Sequence, residues 1–248
     1  MNGLKRIYSF SDNGPVLNIN EDDLIIDMNH HLYGVIDGHG GSGIGDKYSY
    51  EVKSLIEAGY GRLVSDPDAT MPIFYDPQSS LEINGLMNII IESNNKIMDF
   101  NKNQSAADMG GVSLITGVSI ENYFHCVSVG NCFGVKVKRN DLYPVFLPDS
   151  NYNFSMMSYQ SSGQTFPFGF LGERTDFSYQ VKTIDVQEGE KLILMTDGIY
   201  QRISGLEILS VCQAHSNDED SSSLANDLVA LANDRGNKDN QSLVILDY

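Results

Sequence analysis

Four short apolar runs separated by turns occupy residues 110–146, and this block constrains the fold more than any other feature of the chain. The first run, from Val112 to Ile120, alternates apolar residues with smaller or polar ones. The next three runs read YFHCVSV, GVKVK and LYPVF. A period of two residues is typical of strands that turn one face toward a core. The block therefore predicts consecutive strands joined by short turns.

Segments with helical periodicity lie on both sides of that block. Residues 44–64 and 83–101 precede it and residues 205–215 and 224–236 follow it, each with apolar residues at helical spacing. Ser204 and Glu207 have the spacing of a capping box at the third of these helices. Further strands are predicted over residues 23–27, 31–37, 177–184, 191–196 and 242–246. This order predicts sheets packed together with helices outside, in a single domain spanning residues 1–248.

Composition narrows the classes of partner. The formal net charge of −17 argues against nucleic acid, since affinity for nucleic acid depends on Lys and Arg contacts to phosphate. No apolar stretch approaches the length of a membrane span, and residues 1–14 lack the apolar core of a secretory signal. We therefore expect a cytoplasmic protein that binds no membrane. The three cysteines lack zinc-site spacing, and a buried structural thiol is the expectation for Cys126, which lies in an apolar run.

Carboxylates follow or precede several of the predicted strands. Asp37 and Asp197 each end an apolar run and are followed by glycine, Asp239 comes just before the last strand, and Glu21 and Asp22 come just before an early one. Asp-Gly is also a common turn dipeptide, so a single pair would indicate only a turn. Several such positions together favour a site for a hard cation such as Mg²⁺ or Mn²⁺, which prefers oxygen ligands.

Four motifs in order resemble one enzyme family. They are NED (20–22), DGHGG (37–41), MTDG (195–198) and GNKDNQS (236–242), with MGGVSLI (109–115) and VGNCFG (129–134) between them. The set resembles the metal-dependent Ser/Thr protein phosphatases of type 2C, the PPM family, in a short form of bacterial type. The resemblance runs from about residue 18 to the end of the sequence. It implies an α+β fold with a central β-sandwich of two mostly antiparallel sheets, flanked by helix pairs in α-β-β-α layers.

The resemblance also implies a mechanism and a set of site residues. Two Mn²⁺ or Mg²⁺ ions activate a water that hydrolyses phosphoserine or phosphothreonine in proteins. The implied metal ligands are Glu21, Asp37, the Gly38 carbonyl, Asp197 and Asp239, with Asp37 bridging both ions. Asp22 would orient metal-bound water, and His39 would be the general acid, although a loop histidine without a special role is the alternative. A phosphorylated protein is the implied substrate, with a Ser/Thr kinase as counterpart.

Three positions depart from the family pattern. Leu17 stands where an arginine usually grips phosphate, a role for which Arg6 is a candidate replacement. Asn131 replaces an aspartate that contributes to a weak third metal, and Phe133 replaces an arginine. These departures leave two alternatives: a phosphatase-like regulatory or phosphoprotein-binding module with little catalysis, or a hydrolase of another ester such as a nucleotide. The segment 148–169 is predicted either to contact substrate or to fold its apolar residues inward.

Overall fold

The computed structural model describes residues 3–66, 71, 73–105, 108–152, 154–158, 165–215 and 222–248, and within these it contains ten strands and five helices. The strands are β1 (Arg6–Asp12), β2 (Asp22–Asp27), β3 (Leu32–Gly40), β4 (Gly110–Ile120), β5 (Tyr123–Val129), β6 (Phe133–Lys138), β7 (Asp141–Phe146), β8 (Gln180–Asp185), β9 (Glu190–Met195) and β10 (Gln241–Asp247). The helices are α1 (Gly45–Ser65), α2 (Leu81–Asn101), α3 (Asp197–Tyr200), α4 (Gly205–Ala214) and α5 (Ser222–Asp234).

The strands form two five-stranded sheets. One has the order β1-β10-β9-β6-β7 and the other the order β2-β3-β4-β5-β8. Every neighbouring pair in both sheets is antiparallel. The predicted α+β sandwich of two antiparallel sheets is confirmed.

Alternating side chains place each sheet between two apolar layers. In β3, Leu32 and Ile36 pack toward α1 and α2, whereas Tyr33 and Val35 pack into the core between the sheets. The side chains of the sheet that contains β1 alternate in the same way, and the outer face of that sheet packs on α3, α4 and α5. Burial of apolar surface on both faces holds these four layers together.

The predicted helices and strands all match observed elements, with bounds that differ by a few residues at most, and two further elements were missed. The capping box at Ser204 and Glu207 is present at the start of α4. Strand β1 was missed because it is only partly buried, and α3 was missed because four residues are too few to show a helical period.

Two further predictions concern cysteines and membranes. Cys126 is buried, as expected, and Cys132 and Cys212 are buried as well; all three are free thiols. Among the described residues, no helix is long and apolar enough to cross a membrane.

Candidate functional site

Strand register brings the predicted acidic residues to one rim of the sandwich. Asp22, at the start of β2, pairs directly with Asp37 near the end of β3. In the other sheet, Met195 at the end of β9 pairs with Leu243 of β10, so Asp197 and Asp239 leave that sheet at neighbouring points. Carboxylates that are remote in sequence therefore meet where the two sheets end.

Asp22 and Asp37 point into the space between the sheets. Asp37 continues the face of β3 that carries Tyr33 and Val35, and Asp22 is its cross-strand partner. The hydroxyl of Thr196, which follows β9, donates to Asp22 Oδ2 over 2.8 Å. This bond joins the two sheets at the rim and fixes the orientation of the Asp22 carboxylate.

Asp197 begins α3 and is almost fully buried. Its Oδ2 atom accepts a hydrogen bond from Asn131 Nδ2 over 3.2 Å and a second from the hydroxyl of Thr165. Asn131 also donates to Asp37. A neutral amide therefore lies between two carboxylates and stabilises their charged forms.

Glu21 is held by the start of α1. The Gly45 N–H donates to Glu21 Oε1 over 3.0 Å, and the Glu21 carbonyl accepts from the Gly38 N–H over 3.2 Å. A Cβ atom at Gly38 would lie 2.2 Å from the Ser49 hydroxyl oxygen and 2.6 Å from the Glu21 carbonyl oxygen. Gly38 is thus required because β3 packs closely against the residues before β2 and against the first turns of α1.

Asp239 is placed by the turn before β10. Its carboxylate accepts from the Asn240 N–H over 2.9 Å, and Asn237 Nδ2 donates to the Asp239 carbonyl over 2.9 Å. Asn240 Oδ1 also accepts from the Glu21 N–H over 2.9 Å. One asparagine therefore connects the turn that carries Asp239 to the segment that carries Glu21.

Burial and mutual repulsion raise the pKa values of these acids. Burial raises the pKa of Asp22 and of Asp37 well above the ordinary range, and the charges of neighbouring aspartates raise both further. Burial, together with the charge of Asp239, raises the pKa of Asp197 to about 7. The pKa of Glu21 and of Asp239 is raised as well, first by burial. A divalent cation is the partner that would remove this repulsion.

The donor set fits hard cations in its chemistry. It consists of carboxylates and backbone carbonyls, which are the oxygen ligands that Mg²⁺ and Mn²⁺ prefer. Within the described ranges, however, no three His, Cys, Asp or Glu side chains are grouped closely enough to hold a metal ion as they stand. Thr196, Gly45, Asn240 and Thr165 each donate to one of the carboxylates. Repulsion between the carboxylates, together with their hydrogen bonds to these separate donors, keeps the carboxylates apart from one another.

His39 lies beside the acidic residues but outside their hydrogen bonds. Its ring meets the ring of Phe170 edge to face, with centroids 4.4 Å apart, and its Nε2 atom has no hydrogen-bond partner among the residues that the structure describes. Burial lowers the pKa of His39 to about 4, so the ring is neutral at pH 7. The Nε2 atom is therefore a buried polar group without a recorded partner, which is costly in a folded protein.

Comparison with solved structures gives consistent matches over nearly the whole chain. The PPM Ser/Thr phosphatase MsPP from Mycobacterium smegmatis, solved with cacodylate, matches with a TM-score of 0.76 and 18% identity over 99% of both chains. The Ser/Thr phosphatase of S. agalactiae matches with a TM-score of 0.77 and 18% identity over 98% of both chains. The catalytic domain of PstP, solved with two manganese ions, matches with a TM-score of 0.74 and 18% identity over 98% of this chain and 97% of that one.

This chain has the PPM Ser/Thr phosphatase fold. No protein-family profile and no curated protein sequence matches it. At this level of identity the likeness establishes the PPM fold, and the chemistry has to be argued from the residues.

The departures differ in how they bear on the site of this PPM fold. Phe133 is fully buried in an aromatic cluster with Phe154 and Tyr200, at centroid distances of 5.2 and 5.3 Å, so it packs in the core behind β6 and away from the acids. Leu17 is 38% exposed in the segment before β2. Arg6 is wrong as a replacement for the missing arginine. In the strand register, Arg6 stands opposite Asp247, and the rim lies at the other end of β1, beside Asp12. At about 3.3 Å per residue, the length of β1 places Arg6 roughly 20 Å from the rim.

Some apolar residues of the segment 148–169 fold inward, as one of the two alternatives predicted, and substrate contact stays a prediction. Tyr152 is buried against Tyr200, and Phe154 packs against the same core, whereas Phe166 and Phe168 are exposed. Residues 153 and 159–164 of this segment lie outside the described residues.

Three residues at the site were missed by sequence reasoning. Thr165 and Gln201 form a short chain of hydrogen bonds to Asp197, in which Gln201 Nε2 donates to the Thr165 hydroxyl over 2.6 Å. The charge of Arg202 lowers the pKa of Asp239 against the effect of burial. Arg202 and Gln201 follow MTDG within five residues, and a polar pair so close to the motif was the available signal.

Proposed function

We propose that this chain hydrolyses phosphoserine and phosphothreonine in proteins, with two divalent cations held by the acidic rim. The observation that carries the proposal is the convergence of buried, mutually repelling carboxylates at one rim of the PPM fold. The PstP catalytic domain, with the same fold, was solved with two manganese ions. Cations so held would supply Lewis acidity and a nucleophile made from water at neutral pH.

The metal ligands in this proposal are Glu21, Asp37, the Gly38 carbonyl, Asp197 and Asp239. Asp37 lies beside both Asp22 and Asp197, which suits a residue shared between two ions. The direct pairing of β2 with β3 brings Asp22 to the same place, and Thr196 holds its carboxylate in one orientation. Asp22 then orients water rather than binding the ions.

His39 is the proposed proton donor to the leaving alkoxide. Its Nε2 atom is buried and has no hydrogen-bond partner among the described residues, so a substrate oxygen that reached it would satisfy it, and Phe170 packs against the ring. The ring is neutral at pH 7 without substrate, because burial lowers its pKa to about 4. A phosphate dianion beside the ring favours the charged imidazolium and raises that pKa toward the working pH.

A cleft beside the rim suits a peptide substrate. It has a volume of about 810 Å³ and lies between the residues before β2, the start of α1 and the end of α2, with Asp22, Tyr48 and Phe100 among its lining residues. Ligand sites in proteins commonly have volumes of roughly 300–1,000 Å³. A protein Ser/Thr kinase that produces the phosphorylated substrate is the counterpart implied by this function.

The test is phosphate release from phosphoserine and phosphothreonine peptides by purified protein in Mn²⁺. We expect turnover by the wild type and none by Asp37→Asn, with unchanged circular dichroism for the variant. Asp99→Asn is the matched control, because Asp99 is an exposed carboxylate in a surface pair with Lys102. Release from neither the peptides nor an aryl phosphate would contradict the proposal.

A regulatory module with little catalysis is the second candidate. Leu17, in the segment before β2, offers no positive charge to phosphate, which favours this reading. Calorimetry separates the two: the module would bind a phosphoprotein and release no phosphate on long incubation. Faster hydrolysis of nucleotides than of phosphopeptides would instead indicate the remaining alternative, a hydrolase of another phosphate ester.

A further inference from the structure

The region that follows β7 contacts the acidic rim through Thr165. Just after Thr165, the Phe166 N–H donates to Asn151 Oδ1 over 2.9 Å, and the Phe168 N–H donates to the Asp149 carbonyl over 2.8 Å. Ser150 and Pro167 form a β-bridge between these two stretches. Thr165 is therefore carried on a stretch of backbone with defined anchors.

The Thr165 hydroxyl bonds to Asp197, which begins α3, and to Gln201, which directly follows α3; it also opposes the rise that burial causes in the pKa of the neighbouring Tyr200. Gln201 Nε2 donates to the hydroxyl oxygen, and the hydroxyl donates to Asp197 Oδ2. Both Thr165 and Gln201 are buried. Because Gln201 supplies the donor, the Thr165 proton is directed to the carboxylate.

Two neutral donors converge on the same oxygen of Asp197. Thr165 and Asn131 both bond to Oδ2. Their bonds oppose the effect of burial by stabilising the ionised form, and they fix the plane of the carboxylate. The carboxylate can then offer Oδ1 to a cation without giving up either bond.

We propose that Thr165 is a positioning residue for Asp197 and that it couples cation affinity to the segment between β7 and β8. This inference rests on the proposed function, since it concerns the cations proposed for the rim. Hydrogen-bond partners that orient metal ligands typically change metal affinity by roughly 10–100-fold when removed. The same bond makes the position of this segment a determinant of cation affinity.

The test is isothermal titration of Mn²⁺ into metal-free protein. Thr165→Val keeps the shape of the side chain and removes the hydroxyl, and we expect about a 10-fold or greater rise in the Mn²⁺ Kd. Thr165→Ser keeps the hydroxyl and should stay within about 3-fold of the wild type, a rescue that a purely structural role would not give. Thr183→Val is the matched control, because Thr183 is exposed on β8. Melting temperature and circular dichroism of each metal-free variant report folding separately.

The outcomes separate this inference from the proposed function. Equal Mn²⁺ affinity in wild type and Thr165→Val, or tighter binding by the variant, would overturn the role of Thr165 and leave the proposed function standing. No Mn²⁺ binding by the wild type would overturn both. Should Thr165→Val fail to fold, Gln201→Leu decides: it removes the donor that directs the hydroxyl, and unchanged Mn²⁺ affinity in that variant would refute the coupling.

Discussion

Without metal, the acidic rim should make this protein less stable as the pH rises from 5 to 8. The pKa of Asp197 is raised from 3.8 to about 7 in the folded protein, so the folded state holds a proton that the unfolded chain releases near pH 4. Stability from this group is fully present below the unfolded pKa and is lost as the pH rises through the folded pKa. At about 1.4 kcal/mol per pKa unit, the loss above pH 7 is at most about 4 kcal/mol.

Asp197→Asn removes that titration, so metal-free Asp197→Asn should melt above the wild type, and by more at pH 8 than at pH 5. At roughly 2–4 °C per kcal/mol for a chain of this size, the difference at pH 8 is on the order of 10 °C. Some pH dependence remains in the variant, because burial also raises the pKa of Asp22 and Asp37. Saturating Mn²⁺ should abolish the decline in the wild type by binding the ionised carboxylates.

The assay is thermal melting of metal-free protein across this pH range, with and without added Mn²⁺. Asp99→Asn is the control: it makes the same chemical change in an exposed surface pair, where such pairs contribute little, and it should follow the wild type. A wild-type melting temperature that stays level or rises between pH 5 and 8, with Asp197→Asn following it, would refute the reasoning.

Three further predictions test packing, charge and phosphate binding. Gly198→Ala would place a Cβ atom 1.9 Å from the Asn240 carbonyl oxygen and should lower the free energy of unfolding, measured in urea, by about 1–3 kcal/mol or more. Gly61→Ala is the control: the nearest atom to its Cβ would be 3.3 Å away, and the change should be neutral or stabilising. Burial alone would raise the pKa of Glu190, but hydrogen bonds from two lysines of β6 and from a backbone N–H lower this pKa overall. Its contribution to the folding stability is therefore present above the unfolded pKa and is lost as the pH falls through the folded pKa. Glu190→Gln should therefore cost about 2–3 kcal/mol at pH 7 and much less at pH 3 in chemical denaturation. Leu17→Arg should lower the KM for phosphopeptides several-fold by adding a charged donor for phosphate, and an unchanged KM would show that this position does not contact substrate.

The sequence predicts the layers of this fold well because long periodic segments record which face is buried. The helices α1 and α2 and the alternating strand β4 show this clearly. The carboxylates at strand ends were identifiable for a related reason: a charge directly after an apolar run must leave the core at a rim. Which strand ends come together depends on the strand register, such as the pairing of Asp22 with Asp37. No local sequence pattern determines this register.

The rest of the site depends on contacts between remote segments. Thr165 reaches Asp197 from a stretch with no regular secondary structure, so its sequence neighbours carry no trace of the contact. Phe133 was interpreted as a substitution at the site, but the alternation of β6 turns it into the core behind the sheet. Arg6 failed as a candidate for distance alone, because the direction of β1 places it at the opposite end of the sandwich.

The position of β10 between β1 and β9 has a consequence for synthesis on the ribosome. β1 is hydrogen-bonded to β10, and β10 to β9, although β1 leaves the ribosome long before β10 is translated. Asn240, just before β10, also accepts from Glu21 and donates to the carbonyls of Asn13 and Ile19. A nascent chain therefore cannot assemble the rim until β10 emerges, and a chain truncated before Asp239 lacks one of the acidic side chains.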